Sequence, residues 1–120
     1  MKFRLVDLVG TYRLLLSAEL LEFIEKAFVE TQPLDVRDAI RAEALEEAAG
    51  AELEITSDGQ AISRSNGVEF YRVPLELGDS EVDELVFEKA PSIFVKLTVP
   101  ERGRVFAHQV GKPVAEFRRS

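Results

Sequence analysis

The chain has 120 residues, of which 46% are hydrophobic and 31% are charged, and these values indicate one globular domain over residues 1–120. Its net charge of −7 repels phosphate backbones and anionic lipid, so we predict neither nucleic-acid binding nor strong binding to anionic membranes. Because the sequence contains no cysteine, disulfides and thiolate metal sites are excluded, and we expect a cytoplasmic protein.

The first predicted elements are a strand and an amphipathic helix that follows it directly. Apolar residues keep mostly even spacing from Leu8 to Leu16, which is the period of a strand with one buried face. After Ser17, the natural N-cap, the apolar spacing becomes helical. The helical stripe consists of Leu20, Phe23, Ile24, Ala27 and Phe28, and the acidic residues Glu19, Glu22, Glu25 and Glu30 lie mainly on the other side.

A second helix is predicted from about Val36 to Ala49. Asp35 is its predicted N-cap, and Gly50 follows its end. The apolar side of this helix is narrow and rich in alanine. Such a side favours a helix that lies on a surface or over an opening rather than one that crosses a core.

Seven short strands are predicted after Gly50. The hairpin signals Asp58-Gly59 and Asn66-Gly67 separate the first three, which are AELEI, the segment between the two turns, and VEFYRVPLEL. The last four are predicted at about Glu84–Glu88, Ser92–Val99, Arg104–Val110 and Pro113–Arg118. Since no helix remains to connect parallel strands, we predict an antiparallel meander of about eight strands that curls into a barrel. The two helices, residues 17–49, are then available as a lid over one mouth.

Three stretches of the sequence carry a family resemblance: GTYRLLLSAELLEFIEKA, ITSDGQAISRSNGVEFYRVPLELGDSEVDE and GRVFAHQVGKPVAEFRR. They resemble, in this order, the opening strand and helix, the second to fourth strands and a later hairpin of the intracellular lipid-binding proteins. These fatty-acid-binding-protein-like molecules belong to the lipocalin-like calycin barrels. The resemblance implies a mainly β, antiparallel up-and-down barrel with a helix-turn-helix lid and a fatty-acid-like ligand. The family has Trp in place of Tyr12, and its barrel has ten strands.

The resemblance also implies a carboxylate site, because that family holds a carboxylate with arginines and a tyrosine on its last strands. A buried anion needs a paired cation and hydrogen-bond donors, and a guanidinium offers a planar fork for two oxygens. Arg118 is the implied anchor of the carboxylate. The alternative for Arg118 is a position in solvent, and the alternative for Arg104 is the outer face of its strand. The candidate ligand-binding residues are Arg118, Tyr12, Tyr71, Phe23, Phe28 and Arg104.

The other polar residues predict neither a metal site nor a cofactor nor catalysis. His108 is the single histidine, and without a cysteine or a second histidine it makes a poor zinc site. Asp79, Glu81 and Asp83 have the alternate spacing of a calcium loop but lack its glycine and distant glutamate, which favours a solvated acidic turn. A hydrolytic triad would depend wholly on His108, and the sequence has no Gly-x-Ser-x-Gly motif. We therefore predict that the protein is not an enzyme.

Two functions remain open from the sequence. The first is the non-enzymatic binding of a small apolar or amphipathic ligand, such as a fatty acid, in the barrel interior. The second is a structural or protein-interaction domain whose barrel core is filled and holds no ligand. An eight-stranded barrel is wide enough for its own side chains or for one small ligand, so strand number does not separate the two.

Overall fold

The predicted eight-stranded antiparallel barrel is confirmed by the computed structural model, which describes residues 1–77 and 80–120. The strands found within the described residues are β1 (Gly10–Leu14), β2 (Ala51–Ile55), β3 (Gln60–Ser65), β4 (Val68–Pro74), β5 (Glu84–Ala90), β6 (Ile93–Glu101), β7 (Arg104–His108) and β8 (Ala115–Arg119). Neighbouring strands follow the order β4-β3-β2-β1-β8-β7-β6-β5, so the first strand pairs with the last.

The hairpin signals of the sequence lie where the chain turns. Asn66 and Gly67 have φ angles of 51° and 82°, as a type I′ turn requires of its two central residues, and they connect β3 to β4. Gly59, with a φ of 85°, lies between β2 and β3. Short-range turn chemistry therefore fixes the pairing next to each turn, and the β3–β4 register shifts farther on, between Ser63 and Arg64.

The barrel is nearly closed rather than closed. The edge strands β4 and β5 lie beside each other, but no hydrogen-bonded ladder joins them in the part of the chain that the structure describes. The acidic segment that was compared with a calcium loop lies in the connection between them, and its Asp79 is outside the described residues. We call the junction of β4 and β5 the seam.

Helices occupy the predicted region between β1 and β2. Helix α2 (Ala18–Ile24) continues as a π-helical segment, Glu25–Val29. A 3₁₀ turn, Leu34–Val36, then leads into helix α3, Arg37–Ala49. We call these segments the helix pair. None of the helices in residues 1–77 and 80–120 is both long enough and apolar enough to span a membrane.

The helix N-caps are partly as predicted. Ser17 is the N-cap of α2, since its Oγ accepts a hydrogen bond from the backbone N–H of Leu20 at 3.1 Å. The prediction that Asp35 caps α3 is wrong, because Asp35 already lies inside the 3₁₀ turn. That turn forms when the N–H of Val36 donates to the carbonyl of Pro33 at 3.2 Å, so the chain is helical before an N-cap at Asp35 could act.

Polar contacts hold the helix pair together and attach it to the sheet. The guanidinium of Arg41 forms a two-pronged ion pair with the carboxylate of Glu25, at 2.8 and 2.6 Å, which links α3 to the π-helical segment. The buried hydroxyl of Ser65 donates to the backbone carbonyl of Glu47 at 2.6 Å. The C-terminal turn of α3 is thus fixed to the end of β3.

The hydrophobic core fills one end of the barrel, which we call the filled end. A single helical turn, α1 (Leu5–Leu8), and the residues before it enter the barrel here, and this N-terminal plug was not predicted. Phe3 is completely buried and exchanges two backbone hydrogen bonds with Val82. The filled end contains Phe3, Leu8, Tyr12, Ile55, Val99 and Val105, each no more than 4% exposed.

Candidate functional site

The opposite end of the barrel encloses a space of about 180 Å³, which we call the inner cavity. Every second side chain of a strand points inward, and these inward side chains line the inner cavity. Its apolar lining includes Leu53, Val95, Leu97 and Phe117. Its polar lining consists of Ser63, Tyr71, Lys89, Gln109 and Lys112.

A larger space of about 550 Å³, which we call the cleft, lies between the helix pair and strands β2 to β4. Ser63 and Ser65 come from the inner face of the sheet and Arg64, between them, from its outer face, so the cleft extends over the rim of the barrel. Ser63 and Lys112 line both the cleft and the inner cavity, so the two spaces adjoin. The helices contribute Leu20, Phe23, Ile24, Phe28, Ile40 and Ala44.

The cleft has the size and lining of a small-molecule site. Such sites enclose roughly 300–1,000 Å³ and are mostly apolar, and the cleft falls within this range whereas the inner cavity alone does not. Two aromatic residues of its lining remain open to solvent, with Phe28 50% and Phe70 57% exposed. Covering this apolar surface would be favourable by about 25 cal/mol per Å².

Three of the six predicted site residues lie in these two spaces. Phe23 and Phe28 line the cleft, where their rings meet edge to face with centroids 6.1 Å apart. Tyr71 lines the inner cavity. Burial raises the pKa of Tyr71 to about 12, and a hydrogen bond with Ser63 acts in the opposite direction. The Tyr71 hydroxyl therefore stays protonated at neutral pH and is available as a hydrogen-bond donor.

Tyr12 lies at the filled end and does not line the inner cavity. Its hydroxyl donates to the backbone carbonyl of Leu8 at 2.6 Å and accepts from Arg119 at 2.7 Å. The side chain points inward as the strand pattern predicted. Its predicted position beside a ligand is corrected, because the N-terminal plug surrounds this part of the barrel.

Arg118 and Arg104 lie on the outer face of the sheet, so the predicted interior position of Arg118 is also corrected. The inward positions of β8 and β7 are taken by Phe117 and Val105, and alternation turns the arginines outward. Both guanidinium groups bind Glu116, Arg118 at 2.6 Å and Arg104 at 2.9 Å. Arg104, followed by Arg118, holds the pKa of the Glu116 carboxyl below its ordinary value.

Two lysines that the sequence analysis passed over line the inner cavity instead. Lys89 shares the inward face of β5 with Leu85 and Phe87, and Lys112 lies in the turn before β8. Burial lowers the pKa of Lys89, and the charge of Lys112 adds to this effect. The alternation of ELVFEKA was a usable signal, because it places Lys89 on the same face as the two apolar residues.

His108 lies on the outer face of β7, away from both spaces. Its Nε2 is 3.0 Å from the Oγ1 of Thr98, and burial followed by the charge of Lys96 lowers its pKa. Within residues 1–77 and 80–120, no group of three or more histidine, cysteine or acidic side chains could hold a metal ion. The polar contact of His108 is thus the hydroxyl of Thr98.

The architecture is the mainly β barrel that the family resemblance implied, with eight strands in the described part of the chain. The cleft and the inner cavity are its two candidate binding spaces. No protein-family model, curated protein or solved structure matches this chain.

Proposed function

We propose that this protein binds a small apolar or amphipathic molecule, such as a fatty acid, without transforming it. The observation that carries the proposal is the open apolar cleft, which adjoins the inner cavity of the barrel. The ligand's apolar part lies in the cleft against Phe23 and Phe28. The proposal includes a relationship to the intracellular lipid-binding proteins and a cytoplasmic location, which suits a chain without cysteine.

The strand-to-helix switch at Ser17 supports this function. Val29 of the π-helical segment that continues α2 is completely buried, so it is occupied in packing. Phe23 and Phe28 of the same segments line the cleft instead. Part of the apolar stripe of the helix is thus not covered by packing within the protein, and a ligand in the cleft would cover it.

The polar groups of the two spaces support binding rather than catalysis. The sequence contains no cysteine, and its single histidine lies on the outer face of β7. The serines that line the spaces therefore have no imidazole partner to activate them as nucleophiles. We accordingly assign the spaces to ligand binding.

The second candidate function is a structural or protein-interaction domain with no small ligand. The filled end favours it, because one end of the barrel is already packed by its own side chains. The two functions differ in one measurable respect. A ligand-binding protein takes up an uncharged apolar probe in the cleft, whereas an interaction domain does not.

We expect Ala44→Trp to weaken binding of lauryl alcohol by at least about tenfold. Ala44 lines the cleft on α3, and an indole there would displace the ligand. Excluding about 60 Å² of apolar ligand surface costs roughly 1.5 kcal/mol, which is about a tenfold change in affinity. The measurement is displacement of the uncharged dye Nile red by lauryl alcohol, followed by fluorescence.

Ala42→Trp is the matched control, because Ala42 is an exposed residue of the same helix that does not line the cleft. This variant should bind lauryl alcohol within about twofold of the unmodified protein. Circular dichroism establishes that both variants fold. Equal affinities for the two folded variants would contradict the cleft as the binding site, and no uptake by the unmodified protein would favour the interaction domain.

Electrostatic attraction to anionic membranes is not expected during ligand uptake. The segment from Ala18 to Glu30 carries four glutamates against Lys26, whose ammonium is already paired with Glu22 at 2.7 Å. Vesicles of phosphatidylglycerol should therefore not retain the protein in a sedimentation assay at neutral pH. A bound fraction that decreases as salt is added would show that this charge argument is wrong.

A further inference from the structure

We propose that Lys89 and Lys112 bind the carboxylate of an amphipathic ligand at the boundary of the inner cavity and the cleft. This inference rests on the proposed function and specifies the ligand as an anion. It assigns the charge-pairing role, which the sequence resemblance gave to Arg118, to two residues on other parts of the barrel. Both lysines line the inner cavity, and Lys112 also lines the cleft.

The charges of these two lysines are not balanced by their described surroundings. Lys96, on the outer face of β6, pairs with Glu84 at 3.8 Å. Lys89 and Lys112 form no ion pair with any acidic side chain among residues 1–77 and 80–120. Burial already lowers the pKa of Lys89, as expected for an ammonium group that has lost solvent without gaining an anion. A carboxylate placed between the lysines would supply that charge.

Neutral hydrogen-bonding groups line the same cavity. The protonated hydroxyl of Tyr71, the amide of Gln109 and the hydroxyl of Ser63 all line the inner cavity with Lys89 and Lys112. A carboxylate has two oxygens with about four acceptor sites, and charge-assisted hydrogen bonds to it are stronger than neutral ones. The cavity therefore offers both the cations and the additional donors that a partly buried carboxylate needs.

The distribution of charge around the cleft gives the ligand one orientation. Glu43 and Glu47 line the cleft on its α3 side and repel an anion there. Arg64 also lines the cleft, but its guanidinium is paired with Glu54 at 2.7 Å. The carboxylate consequently lies at the barrel side, near the lysines, and the apolar chain extends along the helix pair.

Laurate and lauryl alcohol distinguish this site from simple apolar binding, because they differ at the head group alone. Lys89→Gln keeps a long polar side chain and removes the charge, so it should weaken laurate by about tenfold and alter lauryl alcohol by less than about twofold. Lys112→Gln, in an exposed turn, should have the same sign and a smaller size. Lys96→Gln is the matched control on the outer face and should leave both affinities unchanged.

The outcomes separate the lysine site from the proposed function. If lauryl alcohol binds and Lys89→Gln leaves laurate affinity unchanged, the lysine site is overturned while ligand binding stands. The same conclusion follows if Lys96→Gln weakens laurate as much as Lys89→Gln. If neither compound displaces Nile red from the unmodified protein, both the lysine site and the proposed function are overturned. Selective loss of laurate binding in the two cavity variants supports the site.

Discussion

Replacing Phe3 with alanine should lower the free energy of unfolding by about 3–5 kcal/mol, which is the usual range for a fully buried phenylalanine. Phe3 is 0% exposed and packs in the hydrophobic core of the filled end. The backbone around it is fixed by two hydrogen bonds to Val82, at 2.8 and 2.9 Å, so the plug cannot readily collapse into the space left by the ring. A cavity would therefore remain at the filled end.

Chemical denaturation monitored by circular dichroism measures this change. Phe94→Ala is the matched control, because Phe94 is 54% exposed on the sheet and should cost less than about 1 kcal/mol. If Phe3→Ala were no more destabilising than Phe94→Ala, the N-terminal plug would not be part of the folded core. A large loss for Phe3→Ala alone establishes that the plug stabilises the barrel.

Replacing Tyr12 with phenylalanine should lower the free energy of unfolding by about 1–3 kcal/mol without altering ligand affinity. The variant keeps the ring and removes the hydroxyl that donates to the carbonyl of Leu8 at 2.6 Å. Since Leu8 is 1% exposed, its carbonyl would be left buried without this partner. Arg119 would also lose its acceptor, but it is an exposed residue and keeps its bond to the carbonyl of Asp7.

Two measurements on Tyr12→Phe separate a structural role from a binding role. Denaturation gives the stability change, and displacement of Nile red by laurate gives the affinity. If the variant is as stable as the unmodified protein but binds laurate more weakly, Tyr12 belongs to the ligand site. If the variant is less stable and its affinity is unchanged, the hydroxyl stabilises the N-terminal plug.

Much of the fold could be predicted because its signals are local. Ser17 caps α2 through its own side chain, and the apolar spacing changes from two residues to a helical period at that position. Asn66 and Gly67 tolerate the positive φ angles of their turn and so fix a hairpin. Antiparallel order then follows from short connections, which cannot join parallel strands.

The N-terminal plug could not be predicted because its contacts are distant in sequence. Phe3 meets Val82, and one helical turn at Leu5–Leu8 is too short to give a periodic pattern. The error at Asp35 has a different cause, which is local. A preceding 3₁₀ turn competes with a side-chain cap, and sequence pattern alone does not rank the two.

The helix residues of the site were predicted better than its strand residues. The helical stripe placed Phe23 and Phe28 on one face, and both line the cleft. Arg118 was assigned to the site through a positional resemblance. A shift of one residue along a strand moves a side chain from the inner to the outer face, so such a resemblance does not decide the face. Phe117 occupies the inward position, which leaves Arg118 in solvent beside Glu116. Strand alternation was the better guide, and it identifies Lys89.

The seam between β4 and β5 is the place where widening of the barrel would cost least. A fully closed barrel widens only by breaking ladder hydrogen bonds, each of which contributes about 1 kcal/mol to stability. Here, within residues 1–77 and 80–120, no such ladder joins β4 to β5, so the wall can widen by separating side chains alone. Tyr71 and Phe87 face each other across this line, with ring centroids 5.9 Å apart. Separation of these two rings would widen the interior, whose volume is about 180 Å³ in this structure.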